Sequence, residues 1–129
     1  MAAMSPPQLK IKLQIYCGDE IAMGPGKADL LDAIRREGSI SGAARAMDMS
    51  YRRAWLLVDA MNRCWREPLV ATAPGGAARG GGAKVTAVGE RVLALYHDLQ
   101  ASCATAAGSE PWHALADALL DVPKASQKG

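Results

Sequence analysis

Phenylalanine is absent from these 129 residues, and aromatic side chains make up only 5% of them. Leu, Ile, Val, Met and Trp must therefore build the core, and at half hydrophobic overall they suffice for one compact domain. Cysteine is scarce and odd in number: Cys17, Cys64 and Cys103 stand far apart with no C-x-x-C pair. That excludes a disulfide framework and implies reduced thiols in the cytoplasm. The start, Met-Ala-Ala-Met-Ser-Pro-Pro, lacks a basic segment followed by an apolar run, so no signal peptide is expected. No stretch approaches the roughly 18 apolar residues of a membrane span, so no membrane partner is expected. Histidine occurs only as His97 and His113, neither with a cysteine or carboxylate cluster at metal-ligand spacing. Gly24-Pro-Gly-Lys27 fails as a phosphate-binding loop. Ile21 stands where the first glycine belongs, and Ala28 replaces the magnesium-binding hydroxyl. No nucleophile–base set is legible, and the chain is expected to be no enzyme and to carry no cofactor or metal.

Charge is also nearly absent as a sum, at +2, but not as a distribution. Residues 50–91 hold seven basic and three acidic side chains, a local +4. A basic patch on a nearly neutral protein is the electrostatic footprint of DNA binding, although an ordinary solvated surface gives the same count.

The most informative stretch runs from Gly38 to Trp55. Ser39 or Ser41 can cap a short helix over 41–47, since a serine hydroxyl accepts a free backbone N–H there. Ala43, Ala44 and Met47 give it a small apolar stripe for close helix crossing. Asp48 suits a turn that needs left-handed backbone, and Ser50 caps a second helix over 51–65. Ala54, Leu57, Val58, Met61 and Trp65 fall on the inward face of that helix, leaving Arg52, Arg53, Asp59 and Arg63 outward. Tyr51, Arg52 and Arg53 open it. In a helix-turn-helix the first residues of the second helix meet base edges in the major groove.

Around this pair, Leu9 to Tyr16 alternates apolar and polar residues, which predicts a strand with Leu9, Ile11, Leu13 and Ile15 facing in. Ile21–Met23 reads as a second short strand. A helix follows from Lys27 to about Glu37, stopped by Gly38. Leu69–Ala73 and Ala83–Thr86 read as strands joined by the glycine-rich 74–82, a hairpin placed as a wing. Arg79 and Lys84 on it can reach phosphates or the minor groove; a plain surface loop is the bland alternative. Thr86 can cap a long helix whose apolar face is Val88, Val92, Leu95 and Leu99, widened by Leu93 and Tyr96. Such a face serves either a dimer or the monomer core. Trp112, Leu115, Ala116 and Leu119 suggest one more short amphipathic helix before a polar tail. The expected organisation is a leader at 1–8, the main domain at 9–107, and the short helix with its tail at 108–129.

In this order the elements resemble the N-terminal DNA-binding domain of ModE-type regulators, the molybdate-responsive repressors. The residues carrying the resemblance are Gly38-Ser-Ile-Ser-Gly-Ala-Ala44, Met49-Ser-Tyr-Arg-Arg-Ala-Trp55, Met61-Asn62, Gly75-Gly76, Gly80-Gly-Gly-Ala83 and Thr86. They cover about residues 9–100. The chain is also similar to LysR-type DNA-binding domains, which normally lack the leading strand and have shorter wings. The resemblance implies an α+β, mainly α, winged helix-turn-helix that binds palindromic promoter DNA as a homodimer. Carried across, Ser50, Tyr51, Arg52 and Arg53 lie at the groove, Arg79 and Lys84 lie on the wing, and Trp55 is core or phosphate-facing. Full-length members bind the oxyanion in added domains, for which the residues after Gln100 are too few. The expectation is therefore a homodimeric, sequence-specific DNA-binding transcription regulator with no effector domain and no direct molybdate binding. The alternative is a winged-helix protein-interaction module that partners a separate sensor subunit.

Overall fold

The structure is a computed structural model that describes residues 6–73 and 82–128. The chain forms two compact units, Lys12–Leu99 and a smaller one from 1–11 with 100–129. Helices and two small antiparallel sheets make the larger unit α+β.

Strand β1 (Ile15–Cys17) pairs with β2 (Glu20–Met23) across the Gly18 turn, with a bulge between Ile15 and Tyr16. The strand expected from Leu9 onward is thus cut to three residues, and Leu9 and Ile11 are exposed. Period-two alternation describes which residues can face a core, but a strand extends only as far as a partner pairs with it, and β2 is four residues long. Helix α1 (Pro25–Glu37) begins two residues before its expected start, because Pro25 already has the φ of a first helical residue. It ends at Gly38, whose φ of 75° is the left-handed conformation a C-cap requires. Leu30, Leu31 and Ile34 on α1 are fully buried.

Helix α2 (Ile40–Ala46) starts at Ser39, not Ser41: the Ser39 hydroxyl accepts from the Gly42 N–H at 2.9 Å. The connection to α3 (Tyr51–Cys64) passes through Asp48, at φ 54°. Ala43, Ala44, Ala54, Val58 and Met61 interlock in the shared core, with Leu57 and Trp65 at its margin. Strands β3 (Val70–Ala73) and β4 (Gly82–Val85) pair in register from Val70↔Val85 to Ala73↔Gly82. The segment 74–81 between them, with Arg79, lies outside the described residues. The Ala83 N–H donates to the Gly38 carbonyl at 2.9 Å, which ties this hairpin to the junction of α1 and α2.

Helix α4 (Ala87–Ala104) begins at Thr86, whose hydroxyl accepts from the Gly89 N–H at 3.0 Å. Only part of its apolar stripe is buried. Gly89, Leu93 and Tyr96 are buried and Val88 and Val92 half-buried, while Leu95 and Leu99 are exposed. Gly89 decides this rotation, because a Cβ there would collide with the Leu69 carbonyl oxygen. The helix backbone lies against β3's approach at that point. In the smaller unit, α5 (Glu110–Ala118) follows a 3₁₀ turn at Thr105–Gly108, and the Ser109 hydroxyl accepts from the Trp112 N–H. No described helix is long and apolar enough to cross a membrane.

Candidate functional site

The site is built at the start of α3. Ser50 is extended and its hydroxyl accepts from the Arg53 N–H at 3.1 Å, which fixes where the helix begins. Once the start is fixed, 3.6-residue periodicity sets every side chain. Ala54, Val58 and Met61 turn to the core, so Tyr51, Arg52, Trp55 and Leu56 turn to solvent. Tyr51 is 55% and Trp55 46% exposed, which puts two large aromatic rings on one outward surface with Arg52, while Arg53 lies on the other flank of the helix. Trp55 is therefore not a core residue.

The first turn of α3 contains no acidic side chain. A helix N-terminus carries a partial positive charge and normally favours Asp or Glu. Here it carries Arg52 and Arg53, and neither has an acidic partner among the described residues. Other arginines behave differently. Arg35 bridges Asp32 at 2.8 Å and Glu90 at 2.7 Å. Arg63 binds both oxygens of Glu20 at 2.7 Å and Asp59 at 2.9 Å. The Arg63 hydrogen bonds hold the Glu20 carboxyl below its ordinary range and Arg63 above its own.

Tyr51 and Trp55 line a cleft of about 200 Å³ with Ile40, Ser41, Thr72 and Ala83, so the β3–β4 hairpin forms its opposite wall. Lys84 is exposed on β4 but does not line that cleft. Of the six residues singled out by sequence, Ser50, Tyr51, Arg52 and Arg53 come together on one turn. Lys84 stands apart on the hairpin, and Arg79 lies outside the described residues.

A second cleft, on the flank of α3, was not legible in the sequence. Lys12, Gln14, Lys27 and Arg53 line it, on segments that are remote along the chain. Burial above all pushes the Lys27 ammonium down from its ordinary value, and the Arg53 charge adds to this. Cys17, Cys64 and Cys103 are free thiols, and burial first, then the neighbouring Cys17, pushes Cys64 up. Forty-seven residues of separation hide the proximity of Cys17 and Cys64 from any local motif. Among the described residues, no group of three or more His, Cys, Asp or Glu is arranged to hold a metal ion.

No family model matches the chain. It is 49% identical over 82 residues to the molybdenum-pterin-binding protein MopB of Rhodobacter capsulatus, covering 64% of this chain and 30% of that protein. It is 43% identical over 79 residues to the molybdenum transport protein ModE of Azotobacter vinelandii, covering 61% and 29%. The DNA-binding transcriptional dual regulator ModE of Escherichia coli K12 is 36% identical over 89 residues, covering 69% and 34%. The chain spans about a third of the length of the curated relatives it matches.

These findings correct the functional expectation. A homodimeric promoter regulator with no effector side of its own leaves out what MopB and MopA of Rhodobacter capsulatus are named for, the binding of a molybdenum pterin. A module that merely partners a separate sensor leaves it out equally. The expectation of no direct molybdate binding conflicts with the same names. Over roughly two thirds of its length, the chain is similar to Mop and ModE proteins.

Proposed function

We propose that this chain is a binding module of a molybdenum-linked, ModE-type regulatory protein, and that the outward face of α3 is its surface for the phosphate backbone of duplex DNA. This differs from a free-standing, effector-free promoter regulator, since molybdenum belongs to the function. The observation that carries it is the electrostatics of one helix turn. Two arginines without carboxylate partners among the described residues sit on the positive end of α3, whose first turn holds no acidic side chain. Placing cations there costs about 0.3–1 kcal/mol each, a cost that a bound anion reverses. A single small anion would leave Tyr51 and Trp55 without a role. A polyanion with sugar and base surface uses both the charges and the rings.

In this reading α2 and α3 with the β3–β4 hairpin form a winged helix-turn-helix. Ser50, Tyr51, Arg52 and Arg53 contact the duplex from α3, and Arg79 and Lys84 contact it from the hairpin. Ser50 keeps its hydroxyl proton for a phosphate oxygen while its lone pair accepts from Arg53. The function is binding, not catalysis, and the molybdenum link comes from the relatives' names.

Fluorescence anisotropy of a labelled duplex between about 50 and 200 mM salt tests the reading. Affinity should fall steeply with salt, and each of Arg52→Gln and Arg53→Gln should lower the log–log slope by about one unit. Arg91→Gln, on the exposed side of α4, should leave the slope unchanged. Binding that is independent of salt, or equally weakened by all three substitutions, would overturn it.

A further inference from the structure

The flank cleft is independent of the aromatic face and carries its own conclusion. It encloses about 180 Å³, room for several waters at roughly 30 Å³ each. Its polar lining is Lys12, Gln14, Lys27 and Arg53, its apolar floor includes Met49 and Leu57, and no carboxylate lines it. Three cations from three separate parts of the chain converge on one cleft. Glu20, the carboxylate that acts on Lys27, is already held by both terminal nitrogens of Arg63. Among the described residues none of the three cations has an ion-pair partner.

Like charges gathered in a partly buried space repel one another, and water screens them less there than on an open surface. Burial is the main cause that disfavours the Lys27 ammonium form, and Arg53 acts in the same direction. A ligand that removes the repulsion must be anionic, must accept hydrogen bonds on several sides, and must fit a small volume. A tetrahedral oxyanion has four acceptor corners for two ammonium groups, one guanidinium and the Gln14 amide.

We propose that the cleft of Lys12, Gln14, Lys27 and Arg53 binds a free tetrahedral oxyanion dianion of the molybdate and sulfate class. Flexible ammonium groups impose no strict size limit, so the two anions bind with similar affinity. The site goes beyond the α3 face and needs neither Arg52 nor Tyr51. It shares Arg53 with that face, so an occupied cleft withdraws one guanidinium from any duplex and weakens its binding modestly.

The test is an amide-shift titration of the full chain with sodium molybdate, and separately with sodium sulfate, at constant ionic strength set by chloride. Both anions should give saturable shifts centred on Lys12, Gln14 and Lys27. Lys27→Gln should weaken binding roughly ten-fold or more, the usual worth of one charge-assisted contact. Lys12→Gln, at an exposed position, should act in the same direction, and Arg52→Gln should leave anion affinity unchanged. Non-saturating shifts spread over every lysine would overturn the proposal. So would unchanged affinity in both lysine variants. A third arm adds a short duplex of arbitrary sequence. If the duplex moves these amides and the free dianions do not, the cleft serves backbone phosphate and the free-anion site is wrong. Loss of anion binding with intact duplex binding, or the reverse, separates the failure of this site from failure of the α3 reading.

Discussion

Asn62 shows how much one side chain can do without a motif to announce it. Its carbonyl oxygen accepts from the N–H groups of Leu69 at 2.9 Å and Val70 at 3.1 Å, and its amide donates to the Val70 carbonyl at 3.0 Å. This half-buried residue on α3 therefore holds the start of β3 in place, and through β3 the hairpin opposite Tyr51 and Trp55. Replacing it with Ala leaves two backbone donors unsatisfied, so Asn62→Ala should lose about 2–3 kcal/mol in urea denaturation. Asn62→Asp keeps both acceptor contacts and should lose less. Equal losses would mean that the donated bond to Val70, not the pair of accepted ones, holds the strand. The resemblance drew attention to Met61-Asn62 in the sequence, but nothing local discloses partners seven and eight residues away. Ser50, Asp48 and Gly38 were legible because caps and left-handed turns are local chemistry. Lys12, Lys27 and Arg53 were not, because their meeting depends on tertiary packing.

At the scale of elements, short-range rules located the helices and missed what depends on partners. The apolar period fixed α1, α2 and α3 within two residues at either end. It extended β1 too far, since alternation cannot report the length of the opposing strand. It gave the apolar stripe of α4 but not which part of it meets the core, since the close approach at Gly89 is set by Leu69, far back in the chain. The junction of α3 with β2 is fastened by Arg63, by its contacts to Glu20 and Asp59, and by the Trp65 indole donating to the Ala22 carbonyl at 3.1 Å. The Arg63 hydrogen bonds hold the Glu20 pKa below its unfolded value. A carboxyl depressed in this way stabilises the fold at pH values above its unfolded pKa, about 4.3, and that stability is lost as pH falls through the folded value. Arg63→Gln should therefore melt below the wild type at neutral pH by a gap that stays constant down to about pH 5 and closes below about pH 4. Thermal melts across that range check it. A gap that persisted at pH 3 would assign the effect of Arg63 to packing.

At the scale of the whole molecule, a nearly neutral protein carries two arginines, Arg52 and Arg53, with no carboxylate partner among the described residues. Arg52 lies beside the exposed rings of Tyr51 and Trp55. Likeness to molybdenum-pterin-binding and molybdenum-transport proteins conflicts with the expectation of no direct molybdate binding, which rested on the family's added domains. Sequence could set the α+β class, the first turn of α3 and the resemblance to molybdate-responsive regulators, while the expectation of no direct molybdate binding conflicts with the names of the similar proteins. The central claim is that the outward face of α3 meets the phosphate backbone of duplex DNA. Its most direct measurement is an amide-shift map of the labelled protein titrated with a short duplex at low salt. The largest shifts should fall on Ser50 to Trp55 and around Lys84, and should vanish as salt is raised to about 0.5 M, where screening shortens to a few ångströms. Shifts centred on α4 or α5, or no shifts at α3 while the duplex still binds, would contradict it.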